Sequence, residues 1–158
     1  MNKRIVFLAI LVFSFWVASC GLENSPFSPV TRSPLNPSGL RLAVTTSGQG
    51  SGSLTFHIEI KNDGDRTVNL DFGSAQVFDI AVKDSSGTTV WQWAYDKYFA
   101  DAVWRLELTP GKSYSQEAIW DLTGNDKKPL PHGSYRARAY ITNYPRDEGL
   151  SIEFPLPI

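Results

Sequence analysis

Polar and apolar residues alternate along most of this chain. From Leu54 to Lys61, Leu54, Phe56, Ile58 and Ile60 share one face while Thr55, His57, Glu59 and Lys61 share the other, the period-two pattern of a half-buried strand. Asn62 to Arg66 follow with an Asp-Gly pair suited to a tight turn, and Val68, Leu70 and Phe72 resume the alternation. The spacing therefore predicts a β-hairpin. Further strands are expected at Phe78–Val82, Val90–Trp93, Trp104–Leu108, Tyr114–Asp121, Tyr135–Thr142 and Ile152–Phe154, with turns at Asp84–Gly87 and Thr109–Lys112. No segment of this region carries a sustained i, i+3, i+4 apolar stripe, and no internal repeat is visible. The pattern predicts an all-β domain over residues 40–158, an antiparallel sandwich of about eight or nine strands and, most simply, an immunoglobulin-like one.

The N-terminal part reads differently. Lys3 and Arg4 precede an apolar run from Ile5 to Val17, shorter than the roughly 20 residues a membrane-spanning helix needs and shaped like the core of a signal peptide. Val17-Ala18-Ser19-Cys20 follows and resembles the bacterial lipobox, with cleavage expected between Ser19 and Cys20 and lipidation (palmitate) at Cys20. Cys20 is the only cysteine, so no internal disulfide can form, and acyl chains would hold the protein at about 0.8 kcal/mol per buried methylene. Residues 1–19 are thus expected to be a signal peptide, and the protein a lipid-anchored, extracytoplasmic component of a bacterial cell membrane or outer membrane. From Gly21 to Gly39, four prolines (Pro26, Pro29, Pro34 and Pro37) fix φ and lack amide donors. Residues 20–39 accordingly read as a tether, with an arm docked on the domain through Phe27 and Leu35 as the alternative.

Charge and chemistry narrow the function classes. The formal net charge is −1, and no basic patch marks a nucleic-acid partner or lipid headgroups. His57 lies on the polar face of a strand beside Glu59, and His132 in the turn Leu130–Gly133. Both are expected to be solvated, and no nucleophile-elbow motif accompanies them. His57 and Glu59 offer two ligands where zinc takes three or four, and Asp63–Asp65 lacks the downstream glutamate of a calcium loop. No enzyme activity, metal or cofactor is expected. Arg136 and Arg138 share a strand face, where pairing with Glu117 or Asp121 is expected.

The aromatic stretch Val90–Phe99 (VWQWAYDKYF) admits two readings. Trp91 and Trp93 are two apart on a strand and share a side, which with Phe78, Ile80 and Val82 points to core, together with Trp120. The other reading exposes Trp91, Trp93, Tyr95, Tyr98 and Trp104 as a stacking platform for carbohydrate.

Read together, Ser74-Ala75-Gln76 before Phe78-Asp79, the Gly87 turn into Val90-Trp91-Gln92-Trp93, the later Phe99, Pro110-Gly111, and Trp120 ahead of Gly133 and Tyr135 resemble the intracellular proteinase inhibitor (BsuPI) family, from about Ser53 to Ile141. The resemblance implies an immunoglobulin-like β-sandwich and inhibition of serine proteases, and places no reactive-site residue. A substrate-like inhibitor needs a loop already fixed in shape, and without disulfides the fixing must come from apolar or proline anchors. Two stretches qualify. In Ala94–Asp101, Phe99 can plug the core while Tyr95, Lys97 and Tyr98 face outward; in Asn143–Leu150, Pro145 stiffens the chain beside Tyr144 and Arg146. The expected function is a membrane-anchored, extracytoplasmic binding module resembling a serine proteinase inhibitor, with a protein partner. The alternative is an envelope lipoprotein that binds carbohydrate or another protein through an aromatic surface without inhibiting.

Overall fold

The computed structural model describes residues 30–48 and 52–158. Cys20, Phe27 and the expected signal peptide lie outside the described residues. The described chain forms ten strands, β1 (Thr31–Arg32), β2 (Leu40–Ser47), β3 (Leu54–Asn62), β4 (Val68–Phe72), β5 (Phe78–Lys83), β6 (Thr89–Gln92), β7 (Trp104–Leu108), β8 (Ser113–Trp120), β9 (Ser134–Ile141) and β10 (Ser151–Pro157), with one 3₁₀ turn at Glu148–Leu150. One antiparallel sheet has the order β1-β2-β3-β8 and a second the order β10-β9-β5-β6, while β4 and β7 form a separate ribbon. The result is an all-β sandwich.

Alternation dictates the core. Leu40, Leu42, Val44, Leu54, Phe56, Ile58 and Ile60 point inward from the first sheet and meet Ile80, Val82, Ala137, Ala139 and Ile141 of the second. Three rings knit the layers together: Phe56 stacks on Trp91 at 6.1 Å, and Trp91 on Trp120 at 4.9 Å. Trp120 is fully buried, and its indole NH donates to the Thr123 carbonyl at 2.8 Å, so the one polar atom of the ring is satisfied in the interior. Trp91, Trp93 and Trp104 are half-buried and packed against the core, so the indoles of the aromatic stretch pack inward and do not form an exposed platform.

The outer edges of the second sheet are closed locally. Asn125 lies along β6, its amide donating to the Val90 carbonyl at 2.8 Å and its side-chain oxygen accepting from the Gln92 amide at 2.9 Å. The opposite edge strand, β10, carries Pro155 and Pro157, which cannot donate to a further strand.

Three expectations are corrected. The stretch Leu54–Phe72 is not a hairpin, because β3 pairs with β2 and β8 while β4 pairs with β7. Asn62 redirects the chain: its side-chain amide donates to the carbonyls of Arg66 and Leu108, and its oxygen accepts from the Gly64 amide at 3.0 Å. Gly64 serves close approach rather than a tight turn, since a Cβ there would stand 3.1 Å from the Gly39 Cα. Strand β1 lies in the proline-rich stretch, where antiparallel pairing with β2 needs only two residues at a sheet edge. Residues 33–36 continue along β2: the Ser33 amide donates to the Leu42 carbonyl, and the Asn36 side-chain oxygen accepts from the Leu40 amide at 2.7 Å. Leu35 is exposed, so polar groups make this contact. Finally, Arg136 pairs with Glu153 at 3.7 Å and Arg138 with Glu148 at 3.2 Å, not with Glu117 or Asp121, because β9 neighbours β10 and β5 rather than β8.

Replacing Trp120 or Trp91 by Ala removes a ring from this three-ring stack and should cost about 3 to 5 kcal/mol at the fully buried Trp120, with a smaller loss at half-buried Trp91. Chemical denaturation midpoints at constant slope measure both.

Candidate functional site

The β6–β7 connection begins where Trp93 leaves the sheet. Its amide donates to the Ile80 carbonyl at 2.9 Å, and its ring stacks on Phe78 at 4.2 Å. The next turn is closed by the amides of Tyr95 and Lys97 donating to the carbonyls of Gln92 and Ala94. Phe99 then folds back, 5.5 Å from the Trp93 ring, and the Ala100 carbonyl accepts from the Ala75 amide at 2.9 Å. Trp104 closes the connection by stacking on Phe72 at 4.7 Å and donating its indole NH to the Ser74 carbonyl. Midway, Asp96 forms an ion pair with Lys127, which holds the Asp96 carboxyl below the ordinary carboxylate range, chiefly through the hydrogen bond. The loop is anchored at its start, middle and end. Between the anchors it turns outward Tyr95 (64% exposed), Tyr98 (101%) and Val103 (89%), while the Lys97 ammonium lies 5.2 Å over the Trp93 ring.

Beneath this loop sits Asp79, only 2% exposed. One carboxylate oxygen accepts from the amides of Ile80 at 2.8 Å and Ala94 at 3.1 Å; the other accepts from the Gln92 side chain at 2.5 Å and the Tyr140 hydroxyl at 3.0 Å. Four donors compensate a carboxylate that burial alone would make costly. They come from β5, β6, the loop and β9, so this one group sets their relative positions. Burial first, and the Asp79 charge second, push the Tyr140 hydroxyl above its ordinary pKa.

Tyr140 also roots the second candidate loop. The Arg146 guanidinium lies 4.3 Å over its ring and 3.2 Å from Glu148. The Tyr144–Pro145 peptide is cis, the Tyr144 amide donates to the Asp71 carbonyl at 2.7 Å, and the Tyr144 side chain is exposed. Asp147 accepts from the Gly149 amide and from the Asn36 side chain. Thr142 joins this loop to the β4–β5 connection through the Gln76 and Val77 carbonyls. Both candidate loops therefore spring from one Asp79–Tyr140 root. Periodicity did not single out Asp79, yet a signal existed: an acidic residue between Phe78 and Ile80 in an otherwise apolar strand must find several donors if it is buried.

His57 is not merely solvated, and its partner is Glu117 rather than Glu59. Its Nε2 lies 2.9 Å from the Ser47 hydroxyl and its Nδ1 2.9 Å from a Glu117 carboxylate oxygen. This is the connectivity of a serine–histidine–acid relay. It spans the outer face of β2, β3 and β8, whose pairing brings Ser47, His57 and Glu117 onto adjacent strands. Among the described residues, no group of three His, Cys, Asp or Glu side chains is placed to hold a metal ion, and no helix is long and apolar enough to cross a membrane.

Residues 40–145 match the family model described as BsuPI, intracellular proteinase inhibitor. A comparison with curated proteins gives no significant match. Among solved structures, the chain is similar to part of β-glucosidase 3B from Thermotoga neapolitana in complex with α-D-glucose (19% identity, TM-score 0.39, 82% of this chain and 16% of that one). It is similar likewise to a β-glucosidase from Erythrobacter marinus (13% identity, TM-score 0.35, 83% and 15%) and one from Listeria innocua in complex with glucose (15% identity, TM-score 0.35, 83% and 16%). The chain thus spans about one sixth of each of these enzymes, and likenesses this low bear on neither substrate nor activity.

Asp79→Ala orphans the donors of Gln92, Ala94 and Tyr140 and should destabilise the protein by roughly 3 kcal/mol or more. Because the folded-state pKa of Tyr140 is raised, its contribution is fully present below the ordinary value of 10.0 and is lost as pH rises through the folded value. Thermal unfolding scanned into the alkaline range should show that decline in the parent and a flatter profile in Tyr140→Phe.

Proposed function

The chain belongs to the intracellular proteinase inhibitor family, and from that membership we propose that it is a binding protein that occludes a serine protease through the loop rooted on Asp79. An inhibitor family is not an enzyme class, and a protease is the partner such a family implies. The observation that carries the reading is the β6–β7 loop itself. It exposes three large apolar side chains, Tyr95, Tyr98 and Val103, yet its backbone is held by Asp79, by Phe99 against Trp93, and by Ala75. Exposed apolar groups on a fixed scaffold suit a partner surface, and a loop ordered in advance avoids the cost of about 0.5–1.5 kcal/mol for each side chain immobilised on binding. Tyr144, Pro145 and Arg146, on the loop rooted through Tyr140 on the same Asp79, are the second candidate contact.

We propose further that the protein is held at a bacterial membrane, on its extracytoplasmic side, by lipid on Cys20. The support is the sequence from Lys3 to Cys20; the family's description, by contrast, refers to intracellular inhibitors. A second reading keeps the same surface and drops the inhibition: Tyr95, Tyr98 and Tyr144 would serve an envelope partner that is not a protease. The withdrawal of Trp91, Trp93 and Trp104 into the core disfavours carbohydrate stacking on those indoles.

Cys20→Ser should move the protein from the membrane fraction to the soluble fraction, read by immunoblot after ultracentrifugation; continued sedimentation with membranes would refute the anchor. Inhibition by the parent chain, assayed on a serine-protease panel, should disappear when residues 94–101 are replaced by Gly and Ser. Inhibition that persists would transfer the role to residues 143–150.

A further inference from the structure

We propose that the primary contact of the β6–β7 loop is Tyr98, and that the protease it fits has an apolar specificity pocket built for an aromatic side chain. This rests on the inhibitor reading above and adds the contact residue and the pocket class. Tyr95, Lys97 and Tyr98 are the loop residues of a size and chemistry to fill a protease pocket, and the structure separates them.

Lys97 is engaged. Its ammonium lies over the Trp93 ring, so entry into an acidic pocket would first break a cation–π contact. Tyr95 lies within the turn closed by its own amide on the Gln92 carbonyl, and a bent main chain does not suit a protease cleft, which binds its substrate extended. Tyr98 lies in the stretch that follows this turn and runs free of turns toward β7. It is 101% exposed, and no described residue hydrogen-bonds to it or stacks on its ring. Its neighbours are held, Lys97 through its amide on the Ala94 carbonyl and Phe99 through the Trp93 ring. An aromatic side chain wholly in water between two fixed neighbours recovers its full apolar area when a pocket closes on it. With only two side-chain torsions, it also loses little entropy there.

The test uses the full chain in detergent against chymotrypsin and subtilisin, whose pockets accept aromatic groups, and against trypsin and elastase. Inhibition should fall on the first pair. Tyr98→Ala should weaken it by roughly 30-fold or more, Tyr98→Phe should retain it, and Tyr98→Lys should move it toward trypsin. Since Tyr98 is solvent-exposed, all three variants should unfold at the parent's temperature, which separates contact from stability. Inhibition untouched by Tyr98→Ala, or directed at trypsin and lost in Lys97→Ala, overturns this proposal while leaving the inhibitor reading intact. A parent chain that inhibits none of the four enzymes overturns both.

Discussion

A single buried carboxylate organises the functional end of this sandwich. Asp79 brings together the Ala94 amide, the Gln92 side chain and the Tyr140 hydroxyl, three groups that belong to a loop, an edge strand and a central strand. A hydrophobic side chain at that position would pack equally deep but would leave those donors without partners. Directionality is what the carboxylate adds: hydrogen bonds impose angles as well as distances, whereas apolar packing tolerates sliding. The loop geometry above Asp79 follows from those angles.

The lone cysteine makes that arrangement more consequential. With no disulfide available, the rigidity that an inhibitory loop needs has to come from non-covalent anchors spread along it. Here they are of different kinds: a charged acceptor at the root, an aromatic plug at Phe99, a backbone bond from Ala75, and an ion pair from Asp96 to Lys127. The surface ion pair is worth little by itself at an exposed site, so the root and the plug carry most of the constraint. The same loop exposes the large apolar side chains of Tyr95, Tyr98 and Val103. Such a surface would be a liability in a free monomer, and the interior anchors keep it displayed rather than collapsed.

Aromatic residues divide between two tasks according to their polar atoms. The indoles of Trp104 and Trp120 reach backbone carbonyls while their rings stack in the interior, and Trp91 stacks between Phe56 and Trp120. The tyrosines at 95, 98 and 144 keep their hydroxyls in water. Buried Tyr135 instead donates its hydroxyl to the Pro131 carbonyl, and half-buried Tyr140 donates its own to Asp79. Through Tyr140 the two candidate loops share a foundation.

Alternation along the chain by itself determined the strands β3 to β10, their inward residues and the absence of helical packing, because side-chain period follows directly from strand geometry, whereas β1 and β2 emerged only in the structure. The anchoring of the β6–β7 loop by Phe99 could also be read, from a large apolar residue within an inter-strand connection. Pairing could not be read, because a strand's period does not name its neighbour. Leu54–Phe72 looked like a hairpin, yet only in three dimensions does the Asn62 side chain reach the Leu108 carbonyl and Gly64 meet Gly39. For the same reason the partners of Arg136, Arg138 and His57, and the role of Asp79, were decided by the tertiary structure: each depends on a contact between strands that are distant in sequence, and a linear pattern carries no information about which distant residue will supply it.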